Sequence, residues 1–177
     1  MSDRHLVLVG LMGAGKTTVG QRCALLLDRA FVDTDQLVEA NTRMGVASIF
    51  AEHGEQQFRV LERDAIADAS ASPEPLVIAC GGGAVLDPEN RRQLRDHGVV
   101  VWLRASPAEL GARVGADAGA DRPLLAGGPI PTATLERLSA QREPAYEAAA
   151  HVQVDTEGRT VDEVADTVVE EYRAWNG

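Results

Sequence analysis

The sequence predicts an α/β fold in three layers, a parallel sheet with helices packed on both of its faces. Two observations carry that prediction. Short apolar runs of strand length alternate with stretches whose apolar residues recur at helical spacing, along the whole 177-residue chain. Helix-start signals stand between those runs, so the chain passes from strand to helix and back, the pattern of βαβ units. At roughly 100–200 residues per domain, residues 1–177 are expected to form a single domain with a sizeable core.

His5–Val9 (HLVLV) reads as a buried strand. Val19, Cys23 and Leu26 then recur at helical spacing, and that helix is expected to end near Asp28. Ala30–Val32 is a short second strand. Phe58, Leu61, Ala65 and Ile66 form an apolar stripe on a helix from about Gly54 to Ala69. Leu76–Ala79 is the third strand, Val99–Leu103 the fourth and Val152–Val154 a weaker fifth. A long stripe from Val161 to Tyr172 marks the last helix. Ser106-Pro107-Ala108-Glu109 and Thr160-Val161-Asp162-Glu163 read as capping boxes, and Asp87-Pro88 as another helix start. Pro144 is expected to end or kink its helix.

Composition excludes several classes of function. With 17 Lys+Arg against 27 Asp+Glu the net charge is −10, unsuited to nonspecific binding of nucleic acid or of an anionic membrane surface. No apolar run approaches the roughly 20 residues that span a bilayer. Cys23 and Cys80 offer neither a disulfide framework nor zinc-ligand spacing, so a reducing cytoplasm is the expected location. No nucleic-acid or membrane partner is expected, and a monomer is.

In parallel sheets of this kind ligands bind at the carboxyl ends of the strands. After strand one stands Gly10-Leu11-Met12-Gly13-Ala14-Gly15-Lys16-Thr17, which fits G-x-x-x-x-G-K-[ST], the phosphate-binding P-loop, in its required place between strand and helix. Its glycines let backbone N–H groups wrap a phosphate, and the following helix adds its positive N-terminus. Lys16 reaches the β- and γ-phosphates and Thr17 offers a hydroxyl to Mg²⁺. Lys16 is also the one lysine among 17 basic residues, a position where a planar guanidinium is a poor substitute for an ammonium.

After strand two stand Asp33 and Asp35, expected on the same side at strand period. Asp35 suits a helix N-cap. Strands three and four end in Cys80-Gly81 and in Arg104, neither of which supplies an aspartate for a metal, so Asp33 is the remaining candidate and Asp35 is free to face an acceptor hydroxyl. After strand three, Gly81-Gly82-Gly83 suggests that a ligand approaches bare backbone N–H groups, with Cys80 a small packing residue. Three arginines stand out by position. Arg59 follows Phe58, Arg142 precedes Pro144, and Arg122 lies in the Gly-, Ala- and Asp-rich stretch 116–128, which reads as a mobile loop and makes it a candidate lid arginine.

The P-loop, Asp33-Thr34-Asp35, Phe58-Arg59, Gly81-Gly82-Gly83, Arg122-Pro123-Leu124-Leu125 and Gln141-Arg142-Glu143-Pro144-x-Tyr146 occur in this order, and with them the chain resembles the shikimate kinases from Leu6 to about Trp175. The resemblance implies a P-loop kinase fold with a five-stranded parallel sheet and a lid at about 114–128. It implies transfer from MgATP to the 3-hydroxyl of shikimate, in aromatic amino-acid biosynthesis. By motif, Gly13, Ala14, Gly15, Lys16, Thr17 and Thr18 would hold the ATP phosphates. Thr17 would bind Mg²⁺, with Asp33 nearby through water. Asp35 would bind the substrate hydroxyls and act as base; Arg59 and Arg142 would hold the carboxylate, with the Gly81-Gly82-Gly83 backbone beside them. Arg122 would close on the phosphates, Arg159 would lie on the adenine side and Arg113 would stack on the adenine.

Chemically the set is coherent. Arginine forks match a carboxylate, a carboxylate can orient and deprotonate an alcohol, and phosphoryl transfer needs mainly positioning and charge neutralisation. Two anionic substrates in so acidic a chain call for a locally basic pocket. A gluconate kinase would share the P-loop and paired aspartates but is not expected to combine the triple glycine with Arg59 and Arg142. A nucleoside monophosphate kinase fits less well still. A GTPase-like switch would read guanine with Asn-Lys-x-Asp, which a chain with its single lysine in the P-loop cannot contain.

Overall fold

The computed structural model describes residues 4–116 and 131–176. Strands β1 (His5–Val9), β2 (Phe31–Asp33), β3 (Val77–Ala79), β4 (Gly98–Arg104) and β5 (Val152–Asp155) form one sheet in the order β2-β3-β1-β4-β5. Every pairing is parallel. β1 lies at the centre and is buried along its length, as its unbroken apolar run requires of a strand covered on both faces. The strand order reverses between β1 and β4, so the crevice at their carboxyl ends is the natural ligand site.

Helices α1 (Lys16–Leu27) to α7 (Val161–Ala174) supply the two outer layers. α1 and α7 pack on each other, with Val19, Cys23, Val164, Ala165 and Val168 in the main core. α2 (Thr34–Thr42) and α3 (Val46–Ser70) enclose a smaller cluster of Val38, Val46, Ile49, Phe58 and Ala65 beside the crevice. α4 (Pro88–His97), α5 (Pro107–Ala116) and α6 (Thr132–Ala149) complete the set.

The elements depart from sequence expectation in specific places. β2 is Phe31–Asp33, one residue later than read, so Asp33 ends the strand. The chain then turns at once into α2, a helix the sequence pattern did not disclose. Asp33, not Asp35, is its N-cap: the carboxylate accepts hydrogen bonds from the backbone N–H groups of Asp35 and Gln36. The two aspartates therefore are not alternate residues of one strand. α3 begins at Val46, and Gly54, expected as its start, is a break inside it with φ 80°.

Helix caps follow the same mixture. Thr160 and Glu163 form both halves of a capping box. Ser106 accepts from Glu109 N–H, but Glu109 turns to Arg113 instead, and Glu157 accepts from the Ser106 backbone and hydroxyl in its place. Pro144 does not end α6, which continues to Ala149. The lid expected at about 114–128 overlaps the end of α5; its remainder, with Arg122, lies outside the described residues.

Candidate active site

The P-loop joins β1 to α1 at the switch point of the sheet. Gly13 has φ 80°, and a Cβ there would stand 2.8 Å from the Leu110 carbonyl, so only glycine fits. The Lys16 ammonium bonds the carbonyls of Gly10 at 2.8 Å and Leu11 at 3.0 Å, which folds its stem back over the loop. The Thr17 hydroxyl donates to Asp33 Oδ2 at 2.9 Å, leaving its own lone pairs available to a cation. Two hard oxygen donors side by side suit Mg²⁺, which keeps several waters and takes few protein ligands. Among the described residues no three His, Cys, Asp or Glu side chains are placed together to hold a metal ion.

Two cavities meet at this loop. The first, about 440 Å³, is lined by Gly13 to Val19, Glu109, Arg113, Thr156 and residues 158–161. Arg113 bonds the Thr156 carbonyl at 2.7 Å and its hydroxyl at 2.9 Å, and reaches Gly13 O at 3.4 Å. The guanidinium thus ties α5 to the P-loop and to the β5–α7 loop. Arg159 bonds the carbonyls of Asp155 and Glu163 and the Thr167 hydroxyl.

The second cavity, about 490 Å³, lies between the P-loop, α2, α3 and the Gly81-Gly82-Gly83 turn. Asp33, Asp35, Arg59, the three glycines and Arg142 all line it. Lys16 and Thr17 line both cavities, so the two share a wall at the phosphate loop. Asp35 Oδ1 is buried without a hydrogen-bond partner among the described residues. Burial, then the charges of Asp33 and Glu62, push the Asp35 carboxyl up to about 6, against the pull of Lys16. A carboxylate so placed is suited to take a proton near neutral pH.

Glu62, which the sequence reading missed, is buried at 1% exposure and pairs with Arg59 at 2.7 Å. Burial pushes its carboxyl up and Arg59 partly offsets that. Glu55 also pairs with Arg59, at 3.1 Å. Both pairings are legible only as helical spacing, from Glu55 to Arg59 and from Arg59 to Glu62 on α3.

The triple glycine also makes contacts within the protein. The Gly81 N–H already donates to the buried Thr34 hydroxyl at 3.1 Å. The absence of a side chain at Gly81 and Gly83 also permits close approach of neighbouring side chains. A Cβ on Gly81 would meet Asp35 Oδ1 at 2.7 Å and Glu62 Oε1 at 2.8 Å, and one on Gly83 the Arg59 guanidinium at 2.5 Å. The Gly82 carbonyl accepts from Arg142 at 3.1 Å and from the Tyr146 hydroxyl at 2.6 Å. Nor is the cavity basic overall: among the described residues, Lys16, Arg59 and Arg142 face Asp33, Asp35, Glu39, Glu55 and Glu62. Specific pairing, not a basic field, arranges its charge.

A P-loop on a five-stranded parallel sheet, with a carboxylate-and-arginine cavity beside it, defines a small-molecule kinase of the P-loop class. A model of the shikimate kinase family matches residues 12–173. The shikimate kinase of Symbiobacterium thermophilum is 48% identical over 169 residues, 96% of each chain. That of Caldanaerobacter subterraneus subsp. tengcongensis is 43% identical, again over 96% of each chain. Among solved structures, shikimate kinase from Acinetobacter baumannii in complex with shikimate superposes with a TM-score of 0.88 at 34% identity, covering 95% of this chain and 92% of that one. A gluconokinase from Sinorhizobium meliloti, at 22% identity and a TM-score of 0.67 over 97% of this chain and 92% of that one, shares the fold. The chain belongs to the shikimate kinase family.

Proposed function

We propose that the protein transfers the γ-phosphoryl group of ATP to the 3-hydroxyl of shikimate, giving ADP and shikimate 3-phosphate. One observation carries the reading: the phosphate-loop cavity and the carboxylate-and-arginine cavity share a wall at Lys16 and Thr17. A nucleotide in the first and an acceptor in the second would bring donor phosphate and acceptor hydroxyl together at those residues.

The P-loop backbone from Gly13 to Thr18 holds the phosphates and Lys16 neutralises charge on them. Thr17 and Asp33 would hold Mg²⁺, which when bound supplies further charge neutralisation between the phosphates. Asp35 orients the acceptor hydroxyl and takes its proton as the new P–O bond forms. Arg59 and Arg142 hold the acceptor's carboxylate, with the Gly81-Gly82-Gly83 backbone beside them. Arg113 and Arg159 bound the adenine side, while Arg122 meets the phosphates from the lid. The protein works in the cytoplasm as a monomer, as one domain over residues 1–177.

A coupled ADP-release assay tests this. Turnover should require both shikimate and Mg²⁺. Release of ADP that does not change when shikimate is added would refute it.

A further inference from the structure

Three successive glycines have the widest backbone freedom available, yet Gly81-Gly82-Gly83 forms a wall of the acceptor cavity. At its two ends, Gly81 and Gly83, side chains cannot stiffen the turn, because Asp35, Glu62 and Arg59 occupy the space where they would stand. Hydrogen bonds from outside must do so. Thr34 takes the Gly81 N–H, and Ala84 N–H and Leu86 N–H donate to the carbonyls of Gly81 and Gly83. The Gly82 carbonyl takes two side-chain donors, Arg142 Nη1 at 3.1 Å and the Tyr146 hydroxyl at 2.6 Å, one for each lone pair.

Those two donors share a face of α6, at i and i+4, but differ in how firmly they are held. Arg142 is a long side chain that lines the cavity. Tyr146 is 1% exposed, and its ring stacks on Trp102 of β4 with centroids 5.3 Å apart and planes 19° apart. Burial pushes the phenol up, against the nearby charge of Arg142, so it remains a donor at neutral pH.

We propose that Tyr146 is a positioning residue for the acceptor. Its core-anchored hydroxyl fixes the Gly82 carbonyl, and that carbonyl fixes the direction in which Arg142 presents its guanidinium to the acceptor's carboxylate. The inference rests on the reading that Arg142 binds that carboxylate.

The test is steady-state kinetics of Tyr146→Phe, Arg142→Ala and the double variant, varying shikimate and ATP in turn. Tyr146→Phe keeps the stacked ring and removes only the hydroxyl. It should raise the shikimate KM about fivefold, the effect of one hydrogen bond of ordinary net strength, with kcat and ATP KM unchanged. In the Arg142→Ala background the same change should leave shikimate KM where it was, because no guanidinium remains to be aimed. Tyr146→Leu, which also loses the ring, should lower Tm further yet match Tyr146→Phe in shikimate KM. Additive effects in the double variant, an unchanged KM in Tyr146→Phe, or a KM that tracks Tm across Phe and Leu would each overturn the proposal. If Arg142→Ala alone leaves shikimate KM unchanged, the carboxylate reading and this inference fall together. If it raises KM while Tyr146→Phe does not, only the inference falls.

Discussion

The Thr17 hydroxyl donates to the Asp33 carboxylate across 2.9 Å, joining the first turn of α1 to the end of β2. Because Asp33 also caps α2 with its other oxygen, a single side chain links the phosphate loop to the helix that carries Asp35. Asp33→Asn should keep the cap, since asparagine is equally good there, and remove the charge. The Mg²⁺ concentration for half-maximal rate should then rise about 10–100-fold, as it does when a group behind a metal ligand is altered. Titrating Mg²⁺ at saturating ATP checks this, and an unchanged midpoint would exclude Asp33 from the metal site.

Lys16→Arg should nearly abolish activity and leave the fold intact. The ammonium sits 2.8 Å and 3.0 Å from two carbonyls of its own loop, a compact arrangement that a larger planar fork does not reproduce. The expected loss in kcat is roughly 10²–10³-fold, that of removing one well-placed electrostatic group. Circular dichroism and kcat measured together decide the point.

Asp35→Asn should lower kcat about 10²–10⁴-fold with little change in shikimate KM, since the amide still hydrogen-bonds but takes no proton. In the unmutated protein the rate should fall as pH drops through about 6, where the Asp35 carboxyl protonates. Stability should run the other way. The folded carboxyl titrates near 6 and the unfolded one near 3.8, so the folded state holds more protons between those values. Stability from this group is therefore present below about 3.8 and is lost as pH rises through about 6. Asp35→Asn should in consequence raise Tm at pH 7, by up to the roughly 10 °C that about 3 kcal/mol of relieved burial allows in a domain of this size. A variant that is both slower and less stable would contradict the assigned environment.

The arginines should separate by kinetic parameter. On the proposed roles, Arg59→Ala and Arg142→Ala remove groups that would hold a carboxylate unchanged by the reaction, so shikimate KM should rise while ATP KM stays put. Arg59→Ala should also destabilise the fold, because Glu62 is left buried with its partner gone; about 3 kcal/mol is the scale for such a loss. Arg122→Ala should lower kcat and leave shikimate affinity nearly intact, since charge on the phosphates changes during transfer. An Arg122 variant defective only in shikimate KM would reverse that assignment.

Much of this was legible in the sequence because the signals are local. The P-loop occupies consecutive residues, and the strands of a sheet covered on both faces must be unbroken apolar runs, as β1 and β4 are. What escaped was set by tertiary context. α2 has nine residues, with Val38 and Thr34 its buried positions, too few for helical periodicity to show against the strand that precedes it. Glu62 reads as a surface charge on a helix until the fold buries it between Arg59 and Gly81. The triple glycine announced a close approach, but that the approaching groups are Asp35, Glu62 and Arg59 depends on how α2 and α3 stand against the end of β3, which no local pattern encodes. Of the two outcomes that Pro144 suggests, an end or a kink, the first does not occur: α6 continues through it to Ala149.

The most direct test of the central claim is acceptor choice. ADP release at saturating MgATP should be measured with shikimate, gluconate and nucleoside monophosphates, separately and in competition. The account predicts turnover with shikimate well above either rival. Faster turnover with gluconate or a nucleoside monophosphate would contradict it, because the arginines and glycines around Asp35 would then serve a different acceptor.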